Sequence, residues 1–163
     1  MEQKRIELLQ QMSIFGGIRD DILSFVLSLA PVADVSEGDW FFLEGDTAES
    51  MFVLEAGRAV VLKGVRGKQH RLRELKPGDC FGEMSLMDLS PRSASVQAVE
   101  NCRALEISTA CLHQICELDL AQFAMIEMNM GREVSRRLRD LSSVRDVAFA
   151  SRQLESRHHA SRL

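Results

Sequence analysis

Glu83 and Arg92 stand nine positions apart in FGEMSLMDLSPRSASV, residues 81–96, and their types and setting suit one small anion. Pro91 fixes the backbone just ahead of Arg92, whose guanidinium offers five donors and stays charged at any working pH. Gly82 allows a close turn, EMSLM can form one helical turn whose free N–H groups attract an anion, and Ser93, Ala94 and Ser95 are small enough for a ligand to reach the backbone. One arginine and several N–H groups match the single charge of a phosphodiester. A triphosphate calls for more cations or magnesium, and the chain has no Gly-rich loop ending in Lys-Ser/Thr. Glu83, repelled by phosphate, can accept from a sugar hydroxyl, so the pair measures both ends of a ribose phosphate. Each charge-assisted hydrogen bond is worth about 1.5–3 kcal/mol net. Singly, Glu83 reads as a first-turn helix acid and Arg92 as a solvated loop charge. Their order together points to a site.

The totals narrow the function classes. A chain of 163 residues, 45% hydrophobic, suits one domain with a helical extension. The formal charge of -4 is unevenly spread: residues 131–163 hold eight arginines against four acids, net +4, which leaves -8 on residues 1–130. Such a field repels long polyanions such as DNA. The opening MEQKRIELLQQ lacks the apolar core of a signal peptide, and there is no uncharged apolar run long enough to cross a bilayer, so a soluble cytoplasmic protein without membrane contact is expected. The cysteines at 80, 102, 111 and 116 read as reduced and buried. Cys111, His113 and Cys116 look superficially like metal ligands, but on a helix His113 lies about 200° around the axis from Cys111, and no fourth ligand is near in sequence. No metal is expected.

These residues need elements to hold them. Ile6, Leu9 and Met12 fall at helical spacing, and IRDDILSFVLSLA repeats the pattern with Asp20 and Asp21 in its first turn. SIFGG breaks the two helices and Pro31 closes the second. Gly-Asp recurs at 38–39, 45–46 and 78–79, with glycines at 57, 64 and 67, and separates the strand-length segments DWFFLE, SMFVLEA, RAVVLKG and HRLREL. SASVQAV and CRALEIS complete the set. The pattern predicts an α+β, mainly β chain: an antiparallel jelly-roll barrel or sandwich with N-terminal helices and a long C-terminal helix. The boundaries are 1–31 for the helical start, 32–108 for the jelly roll and 109–163 for the C-terminal helices and polar tail. Along the last helix Phe123, Ile126, Met130, Val134, Leu138, Leu141, Val144 and Ala148 draw one apolar stripe. Part of it must cover the barrel; the rest meets a second copy or frays. SRQLESRHHASRL reads as a polar tail.

FGEMSLMDLSPRSASV resembles the phosphate-binding cassette of cyclic nucleotide-binding domains, F-G-E-[apolar]-[small]-L, a spacer, then P-R-[small]-A-[small]-V, without a gap. IFGGIRDDIL, EGDWFFLEGDTAESMFVLEAGRAVV and LKPGDCFGE look like that family's helical entry, first hairpins and the strand into the pocket, so the likeness runs from about Ser13 to beyond Leu138. It implies that Glu83 accepts the ribose 2′-hydroxyl and Arg92 pairs with the cyclic phosphate. It also implies that the N–H groups of Gly82, Met84 and Ser85 cap the same end, and that Ser93 and Ala94 add phosphate contacts. The base would lie on Val61 and Leu72, beneath Ser142 or Leu141, with Phe149 as an aromatic lid. Ser93 stands where threonine often accompanies cGMP selectivity, which favours cAMP over cGMP.

The resemblance further implies a regulatory module, not an enzyme. Nucleotide would shift the placement of the C-terminal helix, and a protein effector or a second subunit would read it. GREVSRRLRDL resembles the dimerisation helix of the family's bacterial transcription factors, so a homodimer through that helix is one form of output. Fourteen residues follow Phe149, too few for a helix-turn-helix, and direct sequence-specific DNA binding is not expected. Two rival classes are an interaction protein with a degenerate pocket and a cupin-like metal enzyme. The latter needs clustered histidines, whereas His70 alone falls in the predicted barrel. The arginine-rich end reads as a solvated face or a docking surface.

Overall fold

The computed structural model describes the backbone of residues 1–160 and the side chains of residues 1–141. Ser142, Val144, Ala148 and Phe149, named above from the sequence, lie outside the described side chains. The chain begins with α1 (Glu2–Gln10), a 3-10 turn (Ser13–Phe15) and α2 (Asp20–Leu29). Strands β1 (Val32–Val35), β2 (Trp40–Phe42), β3 (Ser50–Ala56), β4 (Ala59–Val65), β5 (Lys68–Leu75) and β6 (Cys80–Phe81) follow. After α3 (Glu83–Asp88) come β7 (Ser95–Ala98), β8 (Cys102–Ser108), α4 (Thr109–Leu118) and α5 (Leu120–Ala160).

The strands pair antiparallel in two four-stranded sheets, β1-β8-β3-β6 and β2-β7-β4-β5. The expected jelly roll is therefore built as two separate ladders, not one hydrogen-bonded ring. Period-two alternation explains how β3 serves two cores at once. Its Phe52 and Leu54 pack with Ala59, Leu75, Phe81 and Val96 between the sheets. Its Met51 and Val53 turn to the helices and join Leu9, Phe15, Leu23, Ile115 and Ile126. Buried on both faces, SMFVLEA reads as an almost unbroken apolar run. β1, a four-residue VADV, is the strand that no segment above singled out, because its burial shows no clean alternation.

One turn and one bulge shape the site's wall. β4 and β5 are joined through Arg66 and Gly67, whose φ values of 52° and 76° fit the two-residue turn that matches strand twist. Lower in the hairpin the register shifts: Val61 faces Arg73 while Leu62 faces Arg71, and Leu72 is the extra, bulged residue. The bulge lets both Leu72 and Arg73 line the cavity beside Val61. Trp40, 40% exposed, opens β2 two residues before Phe42, another cavity residue.

Among the described residues, the apolar stripe of α5 is buried in its first half. Ile126 and Met130 are buried and Phe123 partly so, whereas Leu138 and Leu141 are 60% and 64% exposed. Polar contacts complete the attachment. The buried Asn129 amide donates to the Ile14 and Gly16 carbonyls at 3.1 and 2.9 Å. Gln122 accepts from the Arg19 N–H at 2.8 Å, Arg19 pairs with Asp119 at 2.9 Å, and Ser13 donates to Glu133 at 2.8 Å. These bonds fasten α5 to residues 13–19. Among the described residues no helix is long and apolar enough to cross a membrane.

Candidate functional site

The chain enters the site on β6, pinned to β3 through Phe52–Phe81 and Val53–Cys80 pairing. Gly82 then adopts φ 80°, a left-handed conformation natural to glycine. A Cβ there would lie 2.6 Å from Arg92 Nη1 and 3.3 Å from the Phe42 ring. Glycine is thus required twice, by conformation and by space. The turn launches α3 with Glu83 as its first residue and Ser85 facing inward, both buried.

Arg92 is 5% exposed and, among the described residues, has no carboxylate in contact. Its Nη1 donates to the Gly82 carbonyl at 3.0 Å and its Nη2 to the Ser50 carbonyl at 2.6 Å. The guanidinium carbon sits 4.0 Å from the Phe42 ring centroid, a cation–π contact. Its backbone is gripped too: Arg92 N–H donates to Asp46 O at 2.9 Å, and Gly45 N–H donates to Arg92 O at 2.8 Å. Arg92 Nε is buried without a partner. Burial pulls the guanidinium pKa down, against the field of Glu106, Asp46 and Glu83. Carbonyl oxygens position this cation but do not neutralise it, so an anion reaching it gains most of a full charge interaction.

Glu83 is 1% exposed and accepts from Arg137 of α5, whose Nη2 also donates to the Cys80 carbonyl at 3.1 Å. Arg137 Nε pairs with Glu133 at 3.2 Å, and Glu133 also takes Arg136. Across the cavity, burial first and then Arg137 lower the pKa of Arg73, whose nearest carboxylate, Asp79, is 4.0 Å away. Burial, then Glu83, pushes the Cys80 thiol well up.

Around these groups lies a cavity of about 580 Å³. Gly82, Glu83, Met84, Ser85, Arg92, Ser93, Ala94, Val61 and Leu72, all named from the sequence, line it together, as does Leu141. Among the contributors that the sequence reading did not single out are Phe42 beneath Arg92, Arg73 beside the bulge, and Glu133 with Arg137 on α5. The sequence groups Arg137 with the charge of the C-terminal segment, a solvated face or docking surface; in the structure it lines the cavity and holds Glu83. The Glu133–Arg137 spacing of four was a readable signal for a helical ion pair, though not for a third partner on α3. Among the described residues no three His, Cys, Asp or Glu side chains are placed to hold a metal, and the four cysteines are unbridged.

The family described as "cyclic nucleotide-binding domain" matches residues 33–119. Among curated relatives, a CRP-like cAMP-activated global transcriptional regulator of Mycobacterium tuberculosis is 25% identical over 134 residues, 82% of this chain and 58% of that protein. A cyclic AMP receptor protein of Thermus thermophilus is 29% identical over 128 residues, 78% of this chain and 57% of that one. This chain thus spans less than two thirds of either relative. The solved Thermus thermophilus catabolite activator protein superposes with a TM-score of 0.73 at 26% identity, covering 83% of this chain and 62% of that chain. A cyclic nucleotide-binding domain from Methylobacillus flagellatus shares the fold at TM-score 0.76 and 19% identity, over 85% and 79% of the two chains.

Proposed function

The chain belongs to the cyclic nucleotide-binding domain family, and from that premise we propose that its cavity binds cAMP and that occupancy is transmitted through α5. The observation that carries this reading is Arg92: a buried cation held by backbone carbonyls, with an unpartnered Nε, in a cavity shared with a buried carboxylate. The cyclic phosphate takes Arg92 and the neighbouring N–H groups, the ribose 2′-hydroxyl takes Glu83, and the base lies along Val61 and Leu72. Ser93, and the naming of the two bacterial relatives for cAMP, favour cAMP over cGMP. The role is regulatory and proceeds without catalysis, in the cytoplasm.

Arg137 provides the transmission. Because it holds Glu83 from α5, a hydroxyl arriving at Glu83 changes what that carboxylate offers the helix. Nucleotide occupancy and helix placement are then two readings of one equilibrium, and the ligand shifts it only by binding one placement more tightly. The partner reading that placement is a protein effector or a second copy of the chain meeting it along α5.

Thermal unfolding with cAMP, with cGMP and with neither is the decisive experiment. A ligand at a hundred times its Kd adds about 2.7 kcal/mol of stability, and Arg92→Ala should weaken cAMP binding by about 2–4 kcal/mol while the fold survives. Unaltered cAMP affinity in Arg92→Ala by calorimetry overturns the reading.

A further inference from the structure

Outside the contacts already described, one polar cluster touches the phosphate end of the cavity from behind. Lys63, on β4, donates to the Ser93 carbonyl at 2.6 Å and to Glu44 Oε1 at 2.5 Å. Glu44, in the β2–β3 connection, also accepts from the Gly64 N–H at 3.1 Å, while its own N–H donates to Ser95 Oγ at 2.8 Å. Lys63, followed by the Gly64 N–H, draws the Glu44 carboxyl below its ordinary pKa. Three separate segments, residues 44, 63–64 and 93–95, are clasped at one point.

The clasp acts on a particular peptide group. In a trans peptide the C=O of one residue and the N–H of the next point in opposite directions across a rigid plane. Among the described residues there are no cis bonds. With the Ser93 carbonyl drawn to the Lys63 ammonium, the Ala94 N–H must point the other way. Ala94 lines the cavity beside Arg92, and β7 begins only at Ser95. Among the described residues no backbone bond engages that N–H. An ammonium on the carbonyl also polarises the peptide and makes its N–H a better donor.

We propose that Lys63 is a positioning residue for the phosphate site: by holding the Ser93 carbonyl, with Glu44 fixing the ammonium, it aims the Ala94 N–H at one oxygen of the bound phosphodiester. The inference rests on the nucleotide reading of the cavity and adds a residue that never touches the ligand. It explains why a lysine side chain that is 39% exposed is spent on a loop carbonyl as well as its ion pair.

The test uses the full chain, Lys63→Met and Lys63→Arg. Calorimetry with cAMP and with the Rp and Sp phosphorothioate diastereomers reads whether one phosphate oxygen loses a donor. In Lys63→Met the Kd for cAMP should rise about tenfold and the Rp-to-Sp affinity ratio should shift at least about threefold, with Lys63→Arg restoring both. A purely structural lysine lowers the melting temperature and weakens both isomers alike, which overturns the proposal, as does an unchanged Kd and ratio. The geometry is also read without nucleotide, from the Ala94 amide in a ¹H–¹⁵N spectrum. Its resonance should move in Lys63→Met and return in Lys63→Arg; an unmoved Ala94 amide sinks the inference. Should the wild type bind no cyclic nucleotide, the cavity reading fails while the amide spectrum still decides the role of Lys63.

Discussion

Arg137 closes on Glu83 across 54 positions of sequence, and it does so from a helix whose preceding turn is tied to the N-terminus. Glu133, one turn earlier on α5, pairs with the same Arg137 and accepts from Ser13. The cavity carboxylate, the long helix and the 3-10 turn are thus joined in one chain of charge-assisted bonds.

Removing that arginine leaves a nearly fully buried carboxylate without its cation. Loss of one partner of a buried pair costs about 3–5 kcal/mol, and the partial exposure of Arg137 reduces this, so Arg137→Ala should lower unfolding stability by about 1–3 kcal/mol. Urea denaturation measures it. Combining Arg137→Ala with Glu83→Gln should cost less than the two changes summed; strict additivity would mean that the pair contributes nothing as a pair.

Gly82→Ala tests the crowded turn. The new Cβ at φ 80° meets Arg92 Nη1 at 2.6 Å, so the guanidinium must shift in addition to a left-handed alanine costing about 1–2 kcal/mol. Melting temperature should fall and cyclic nucleotide affinity should fall further than the stability change alone accounts for. Wild-type affinity in this variant would show that the position of Arg92 is not critical.

Asn129→Leu removes the amide that serves the Ile14 and Gly16 carbonyls. Two carbonyls lose their donor, at about 1–3 kcal/mol for each buried group left unsatisfied. Amide exchange should accelerate in residues 13–19 and in the first turns of α5, and much less in the β3–β8 ladder. Uniform acceleration would indicate that α5 is not fastened there.

The buried thiols should make stability fall at alkaline pH. Burial raises the pKa of Cys80, Cys102 and Cys111. In the unfolded chain a thiol loses its proton from about pH 8.5, while the folded protein keeps it. Above that pH the unfolded state binds fewer protons, so stability is fully present below about pH 8.5 and is lost as pH rises towards the folded value, by at most about 1.4 kcal/mol per pH unit for each thiol. Urea midpoints between pH 7 and 10 should show the decline, and Cys80→Ala should make it shallower. A slope indifferent to Cys80 would place the titration elsewhere.

The parts of the molecule legible in the sequence were those set by local rules. Glycine turn signals at strand-length spacing located β2, β3, β4, β5, β7 and β8, and the cassette brought nine residues to one cavity because a glycine, a short helix and a proline fix their path within sixteen positions. What escaped depends on register between distant elements. Arg137 reaches Glu83 only because α5 leaves the core at one angle and rotation, and neither is encoded in the spacing of its apolar residues. Arg73 enters the wall through a bulge in β5, which one extra residue creates and no turn signal announces. The apolar stripe correctly marked the face of α5 at Ile126 and Met130, but the pattern continues to Leu138 and Leu141 after the core beneath it has ended. Lys63 and Glu44 stand nineteen positions apart, and no local rule joins them.

The single indole of this chain, with no tyrosine to compete with it, stands at Trp40, two residues from the ring that lies against Arg92. The strand that supplies that ring thus carries the chain's own fluorophore. Its emission should follow any change that nucleotide makes along β2, with no dye attached and in the same cuvette as any mutant above.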